Sequence, residues 1–161
     1  MMLFYLIASI LAASAAFAAR NERQIAAAGA AFYAVQAVFV LCIFAGGLYG
    51  TDSLGVFSFD AAGTLFHILL VVVSAFAFAH SEAYLHGSDL RQTRTYSALL
   101  MLLTTAISGA YFASNLAVTW IFLEATTLCS AGIIYHRRTA QALEAAWKYV
   151  FVCSTGIAMA Y

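Results

Sequence analysis

The sequence contains no proline, and only 9% of its 161 residues are charged. About a quarter of the residues of a soluble domain are charged, so this scarcity excludes an ordinary water-soluble globule. Seven basic and seven acidic residues leave no net charge and no basic surface for nucleic acid. Disorder is excluded because 65% of the residues are hydrophobic. The sequence therefore predicts an all-α integral membrane protein with a single transmembrane domain, residues 1–161.

Apolar runs long enough to cross a bilayer, which takes about 20 residues, recur along the whole chain. The predicted spans are Met2–Ala19, Ile25–Tyr49, Ala61–Ala79, Tyr96–Ala113, Leu116–Tyr135 and Ala145–Tyr161. The first span is predicted to be an uncleaved helix, because a signal peptide begins with basic residues and none precedes Arg20. The loops are short and leave no room for a soluble domain. We therefore expect a polytopic bundle of about six transmembrane helices.

The basic residues predict the orientation of this bundle. All seven Lys and Arg residues follow spans one, three and five: Arg20, Arg23, Arg91, Arg94, Arg137, Arg138 and Lys148. Basic residues mark the cytoplasmic side of a membrane protein. The N-terminus is therefore predicted to lie outside, with the three basic loops in the cytoplasm.

Glu124 is the one acidic residue placed deep within a predicted span. It is the ninth residue of span five, about 12 Å along the helix and near the bilayer middle. A charged carboxylate there costs about 3 kcal/mol even on the lenient insertion scale. Such a group suits the loading and release of a proton or ion, with Lys148, Thr126, Thr127 or Ser130 as its expected partner. The alternative is a structural glutamate that hydrogen-bonds a neighbouring Thr or Ser.

Lys148 lies near the start of span six, four residues after Glu144. This order and spacing favour an ion pair within one helix. A lysine near a helix end can also extend its amine to water. A role for Lys148 in moving charge is the alternative, and the spacing does not separate these interpretations.

His67 is embedded in span three, within Phe66-His67-Ile68. A membrane histidine can relay protons, but it can equally be a hydrogen-bonded packing residue. Haem is disfavoured, because two axial histidines have to face each other from different helices and no other span contains a deep histidine.

The sequence contains no phosphate loop, nucleophile elbow or metal-ligand set. Three cysteines lie in apolar runs without CxxC spacing and are interpreted as packing residues: Cys42, Cys129 and Cys153. Four polar residues at the end of span three are interpreted as a solvated helix end rather than a metal site: His80, Glu82, His86 and Asp89. We therefore predict no catalytic residue, cofactor or metal in this chain.

Two motifs in the second half of the chain carry a family resemblance. Span five contains Trp-x-x-x-Glu (Trp120, Glu124), and span six opens with Ala-Ala-x-Lys-Tyr, residues 145–149. These motifs resemble the antiporter-like membrane subunits of respiratory complex I and of energy-converting membrane hydrogenases. The segments Glu-Ala-Thr-Thr-Leu, Glu-Ala-Ala-Trp-Lys-Tyr and Cys-Ser-Thr-Gly-Ile particularly resemble the hydrogenase-type F subunit, including formate hydrogenlyase relatives.

The resemblance implies a proton- or sodium-translocating subunit in the cytoplasmic membrane of a bacterium or archaeon. Its partners would be the lipid bilayer, other membrane subunits and, through them, soluble redox subunits that carry out any oxidoreductase reaction. Glu124 matches the family's membrane glutamate, and Lys148 matches its lysine at the head of the next helix. His67 is a further candidate from its position alone.

Family members continue into a further helix with another lysine. Because Tyr161 ends the sequence inside an apolar run, we expect the chain to be the N-terminal part of a larger antiporter-like subunit. Three functions stay open: an ion-translocating subunit of a redox complex, a structural membrane-anchoring subunit without ion conduction, and a subunit of a multisubunit cation/proton antiporter. Glu124 favours the first, and the missing downstream lysine favours the second.

Overall fold

The computed structural model describes residues 1–46, 50–51, 55–85 and 89–160, which form a helical bundle. Its helices are α1 (Met2–Ala18), α2 (Glu22–Gly46), α3 (Ala61–Tyr84), α4 (Leu90–Phe112), α5 (Leu116–Ile134) and α6 (Ala140–Ala160). A turn of 3₁₀ helix, Tyr135–Arg137, follows α5. Two short antiparallel strands, β1 (Gly50–Thr51) and β2 (Ser58–Phe59), lie between α2 and α3. The all-α prediction is confirmed.

Several helices extend beyond the apolar runs that predict them. Three boundaries differ clearly from the prediction: α3 ends at Tyr84, α4 begins at Leu90 and α6 begins at Ala140. The Thr139 hydroxyl oxygen caps α6 by accepting a hydrogen bond from the Ala142 amide at 3.1 Å. Hydropathy marks the part of a helix suited to lipid, whereas backbone hydrogen bonding continues into the polar flanks. The predicted end of span two, Tyr49, lies outside the described residues.

Four described segments are long and apolar enough to cross a membrane: Glu22–Ala45, Ala61–Ser81, Leu90–Phe112 and Leu116–Arg137. Helix α1 is a shorter apolar helix. The first half of α6 contains Gln141, Glu144 and Lys148, which lower its hydropathy. By helix length and composition this is a multi-pass membrane protein, while the count of six spans stays a prediction.

Helix α4 occupies the centre of the bundle, where it contacts α1, α2, α3 and α5. Glycine allows the close approach of α4 to α5, because a Cβ added at Gly109 would lie 2.3 Å from the Phe122 ring. A Cβ at Gly29 of α2 would similarly lie 2.4 Å from the Phe78 ring of α3. Helix α6 packs mainly against α5, and Ala146 is its one buried residue in the described chain.

One end of the bundle collects basic side chains. The Arg94 guanidinium at the start of α4 lies 5.9 Å from the centre of the Phe17 ring at the end of α1. Arg137 donates a 2.5 Å hydrogen bond to the hydroxyl of Tyr84 at the end of α3. The basic segments that are separated in sequence therefore meet at the same end of the helices.

The opposite end is closed by the segment before α3. The Ser114 amide, in the turn between α4 and α5, donates to the Val56 carbonyl at 2.9 Å. The Ser114 hydroxyl donates to the Gly55 carbonyl at 2.8 Å, and Phe57 forms a backbone bridge with Ala113. These contacts tie the α2–α3 connection to the α4–α5 turn.

Candidate functional site

Glu124 lies at the middle of α5, as the ninth of its 19 residues. Its side chain is half-buried. The Oε1 atom accepts a hydrogen bond of 2.5 Å from the hydroxyl of Ser154 on α6. The carboxylate therefore forms a polar contact between two neighbouring helices, roughly halfway along α5.

The two threonines expected as partners of Glu124 do not bond its carboxylate. The hydroxyls of Thr126 and Thr127 both donate to the Leu123 carbonyl of their own helix, at 2.7 and 3.2 Å. Threonine in a helix commonly bonds back to the preceding turn in this way. The partner is Ser154, which the sequence analysis missed because it lies on another helix, 30 residues further along the chain.

The Lys148 amine does not contact the Glu124 carboxylate. Its amine donates a 2.5 Å hydrogen bond to Glu144, with the two side chains 73% and 65% exposed. The intrahelical ion pair anticipated from the spacing is thus present. Lys148 precedes Ser154 by six residues, a separation of about 9 Å along the helix axis.

His67 lies in the interior of the bundle, where its side chain is fully buried. Three aromatic rings from different helices surround its imidazole. The ring centres lie 5.9 Å from Tyr5 on α1, 5.4 Å from Phe39 on α2 and 5.5 Å from Phe112 on α4. Within the described part of the chain, neither imidazole nitrogen has a hydrogen-bond partner.

Further buried polar side chains lie near Tyr5, whose ring contacts His67, and they were missed from the sequence. The Tyr5 hydroxyl donates to the Gln36 Oε1 atom at 2.9 Å, and Ser9 is fully buried one turn along α1. Tyr5, Ser9, Gln36 and His67 are called the inner polar group below. Gln36 offered a signal, since it is the one amide in the apolar run of α2, residues 25–44. Polar residues in such runs usually contact another helix.

The four polar residues at the end of span three are divided between the end of α3, which contains His80 and Glu82, and the segment before α4. Helix α3 ends at Tyr84, while His86 and the side chain of Glu82 lie outside the described residues. Across the ranges that the structure describes, no three His, Cys, Asp or Glu side chains are grouped closely enough to hold a metal ion. The cysteines are free thiols, with Cys42 exposed and the other two half-buried.

The similarity of this chain to known proteins is limited to one part of its length. No protein-family model matches the chain, and no solved structure matches it. Over 67 residues it is 31% identical to a hydrogenase-4 component F homolog of Methylacidiphilum infernorum (isolate V4). The aligned part is 42% of this chain and 14% of that protein, so the chain spans a small fraction of its relative. This weak partial similarity supports, at family level, a membrane subunit of the hydrogenase type.

Proposed function

We propose that the chain is a proton- or sodium-translocating membrane subunit of a multi-subunit redox complex of the hydrogenase or NADH dehydrogenase type. The partial similarity to a hydrogenase-4 component F homolog supports the type of complex. The carboxylate of Glu124, hydrogen-bonded across helices in mid-helix, carries the assignment of ion translocation. Other membrane subunits and soluble redox subunits supply the electron transfer, in a bacterial or archaeal cytoplasmic membrane.

The contact between Glu124 and Ser154 suits a group that gains and loses a proton. A hydroxyl both donates and accepts, so Ser154 can donate to the carboxylate or accept from the protonated carboxyl group. A hydrogen bond to a charged group contributes about 1.5–3 kcal/mol, which offsets part of the cost of a carboxylate in the membrane. Glu124 therefore keeps a partner on α6 in both protonation states.

Lys148 is proposed to change the charge near Glu124 by leaving Glu144. An exposed ion pair such as this one contributes at most about 1 kcal/mol, so its separation is inexpensive. An ammonium group that approaches Glu124 favours the carboxylate and release of its proton. Withdrawal of the ammonium group favours the neutral carboxyl group and uptake of a proton.

The proposed arrangement in the membrane has six spans and an external N-terminus. Its support is the meeting of the basic segments at one end of the bundle, through Arg94 and Arg137. Basic residues favour the cytoplasmic side. In this arrangement the loop that contains Gly55–Phe57 faces the outside.

A structural membrane-anchoring subunit is the second candidate. The observation that favours it is the ion pair of Lys148 with Glu144 on its own helix, away from Glu124. In this case Glu124 and Ser154 would only fix α5 against α6. The third candidate, a subunit of a multisubunit cation/proton antiporter, would move ions without an electron donor.

The experiment compares Glu124→Gln with the parent in the complex that co-purifies with a tag on this chain, reconstituted into lipid vesicles. The amide keeps the shape and hydrogen bonding of the side chain but removes its titration. We expect the number of ions moved per electron to fall to the background leak, while electron transfer continues or slows. Sodium-free buffer and a protonophore distinguish the two ions.

Glu22→Gln is the matched control, because Glu22 is an exposed carboxylate at the start of α2. An unchanged ion-to-electron ratio in Glu124→Gln would favour the anchoring function. Ion exchange that continues without any electron donor and depends on Glu124 would favour the cation/proton antiporter.

A further inference from the structure

The inner polar group contains several buried atoms without hydrogen bonds. Ser9, Gln36 and His67 are each 0% exposed, and Tyr5 is 4% exposed. Within the described ranges, the unpartnered atoms of this group are the Ser9 Oγ, the Gln36 Nε2 and both imidazole nitrogens. Buried polar atoms normally have a protein or water partner, because leaving them unpaired is costly. Such a group between helices therefore indicates a small polar ligand.

The chemistry of these atoms selects the ligand. The Gln36 amide nitrogen is a donor, a neutral imidazole has one donor and one acceptor, and the Ser9 hydroxyl does both. A metal cation would find only the imidazole lone pair and the Ser9 oxygen as ligands, fewer than a protein metal site normally supplies. An anion would be repelled by the imidazole lone pair. Water complements the whole set, and buried water typically makes two to four hydrogen bonds to such groups.

We propose that buried water fills the inner polar group and that His67 relays protons through this water, as a second proton-transfer site separate from Glu124. This inference rests on the proposed function of the chain in proton translocation. Tyr5 links the two parts of the group, since its ring contacts His67 and its hydroxyl bonds Gln36.

The relay needs no lasting charge on His67. A hydrated proton arrives at the unprotonated ring nitrogen, and the proton on the other nitrogen leaves to a second water. The N–H bond that forms balances the one that breaks, and the ring is left neutral in its other tautomer. The rings that contact His67 belong to Tyr5, Phe39 and Phe112, and none carries a negative charge to stabilise an imidazolium ion. This environment fits a relay rather than a store of protons.

The relay lies nearer one end of the bundle. His67 is the seventh residue of α3, about 9 Å from the end that bears the β1–β2 hairpin. The partner of Glu124 is instead on α6, outside the group of helices that surrounds His67. The two sites can therefore be tested by separate substitutions.

Nitrogen NMR of the full chain in lipid bilayers tests the site directly. The chain has four histidines, so His80→Gln, His86→Gln and His136→Gln leave only His67 to observe. We expect magnetisation transfer from water to both ring nitrogens and signals from both tautomers. The proposal would be overturned if neither ring nitrogen received magnetisation from water. It would also be overturned if His67 kept a single tautomer with water at only one nitrogen. This readout does not depend on whether Glu124→Gln alters ion transport.

Substitution in the reconstituted complex tests the relay. His67→Phe keeps a ring against Phe39 and Phe112 but removes both nitrogens. The rate of proton translocation should fall by roughly a hundredfold, the usual contribution of a positioned proton-transfer group. His80→Phe, an exposed position on the same helix, should retain the parent rate. A parent rate in His67→Phe would overturn the proposal.

A second variant, His67→Gln, tests the relay if His67→Phe does not assemble into the complex. His67→Gln keeps a polar side chain but has no tautomers to exchange, so it should also translocate protons slowly. A parent rate in His67→Gln would overturn the relay, because a side chain that only fills space or bonds water would be replaced by glutamine without loss.

Discussion

The hydroxyl of Ser154 on α6 donates a 2.5 Å hydrogen bond to the carboxylate of Glu124 on α5. The two helices are joined by the 3₁₀ turn and by Arg138, which has a left-handed backbone conformation with φ of 54°. Helix α6 packs mainly against α5, and Ala146 is its one buried residue in the described chain. The contact is therefore a polar link between α5 and a helix that is otherwise little buried.

Removal of the Ser154 hydroxyl should affect both stability and transport. In Ser154→Ala we expect the free energy of unfolding to fall by about 1.5–3 kcal/mol, the net value of a hydrogen bond to a charged group. The ion-to-electron ratio should fall as well, though less than in Glu124→Gln. Thermal unfolding and vesicle transport measure these effects. Thr155→Ala is the control, because Thr155 is exposed and bonds only the Phe151 carbonyl of its own helix. Equal losses in both variants would contradict the prediction.

A comparison of Lys148→Gln with Glu144→Gln should show whether Lys148 has a structural role or a role in transport. Both side chains are largely exposed, so breaking their ion pair should change the free energy of unfolding by less than about 1 kcal/mol. Under the proposed function, Lys148→Gln lowers ion translocation strongly, whereas Glu144→Gln leaves it near the parent level. Ion flux in vesicles and thermal unfolding of each variant are the measurements. Parent-level transport in Lys148→Gln would remove this lysine from the mechanism.

Gly109→Ala should destabilise the packing of α4 against α5. The added Cβ would lie 2.3 Å from the Phe122 ring, so the ring or the helices have to shift. Such overpacking typically costs 1–3 kcal/mol, that is about 2 kcal/mol here. Gly156→Ala is the matched control, because a Cβ there meets nothing within 4 Å. It should be neutral or stabilise α6 by about 0.5–1 kcal/mol, as alanine favours helix. Equal unfolding temperatures for the two variants would contradict the close contact.

Labelling with a membrane-impermeant thiol reagent tests the orientation. In a background with Cys42, Cys129 and Cys153 replaced, Ser53→Cys and Thr139→Cys should react from opposite sides of the membrane. The reason is that all seven basic residues follow the ends of predicted spans one, three and five. Reaction of both from one side would exclude the six-span arrangement.

The presence of the helices could be predicted from the sequence because their apolar runs are long and uninterrupted. The sequence was insufficient for their ends, as α4 begins at Leu90 and includes the basic residues Arg91 and Arg94 before the apolar part. Hydropathy does not predict these first turns of α4, because their residues are polar even though their backbone hydrogen bonds are helical. Helix existence was therefore more predictable than helix length.

For the candidate site, the sequence predicted Glu124 as a candidate but did not predict which side chain contacts it. Glu124 is conspicuous because a carboxylate is costly in an apolar run. Ser154 is inconspicuous because serine is tolerated in membrane helices, and its contact depends on how α6 rotates against α5. Likewise His67 was recognised from the sequence, while its proximity to Tyr5 and Gln36 arises only when α1, α2 and α3 pack together.

The central position of α4 has a consequence for biosynthesis. Helices α1 and α2 share the Tyr5–Gln36 hydrogen bond and can associate as soon as both have entered the membrane. The ring of Phe112, which covers His67 from α4, is added only when the ribosome has passed the last residue of that helix. During synthesis the inner polar group therefore stays open on its α4 side until the fourth helix inserts. An insertase or chaperone that holds the nascent chain would have to shield these polar atoms from lipid over that interval.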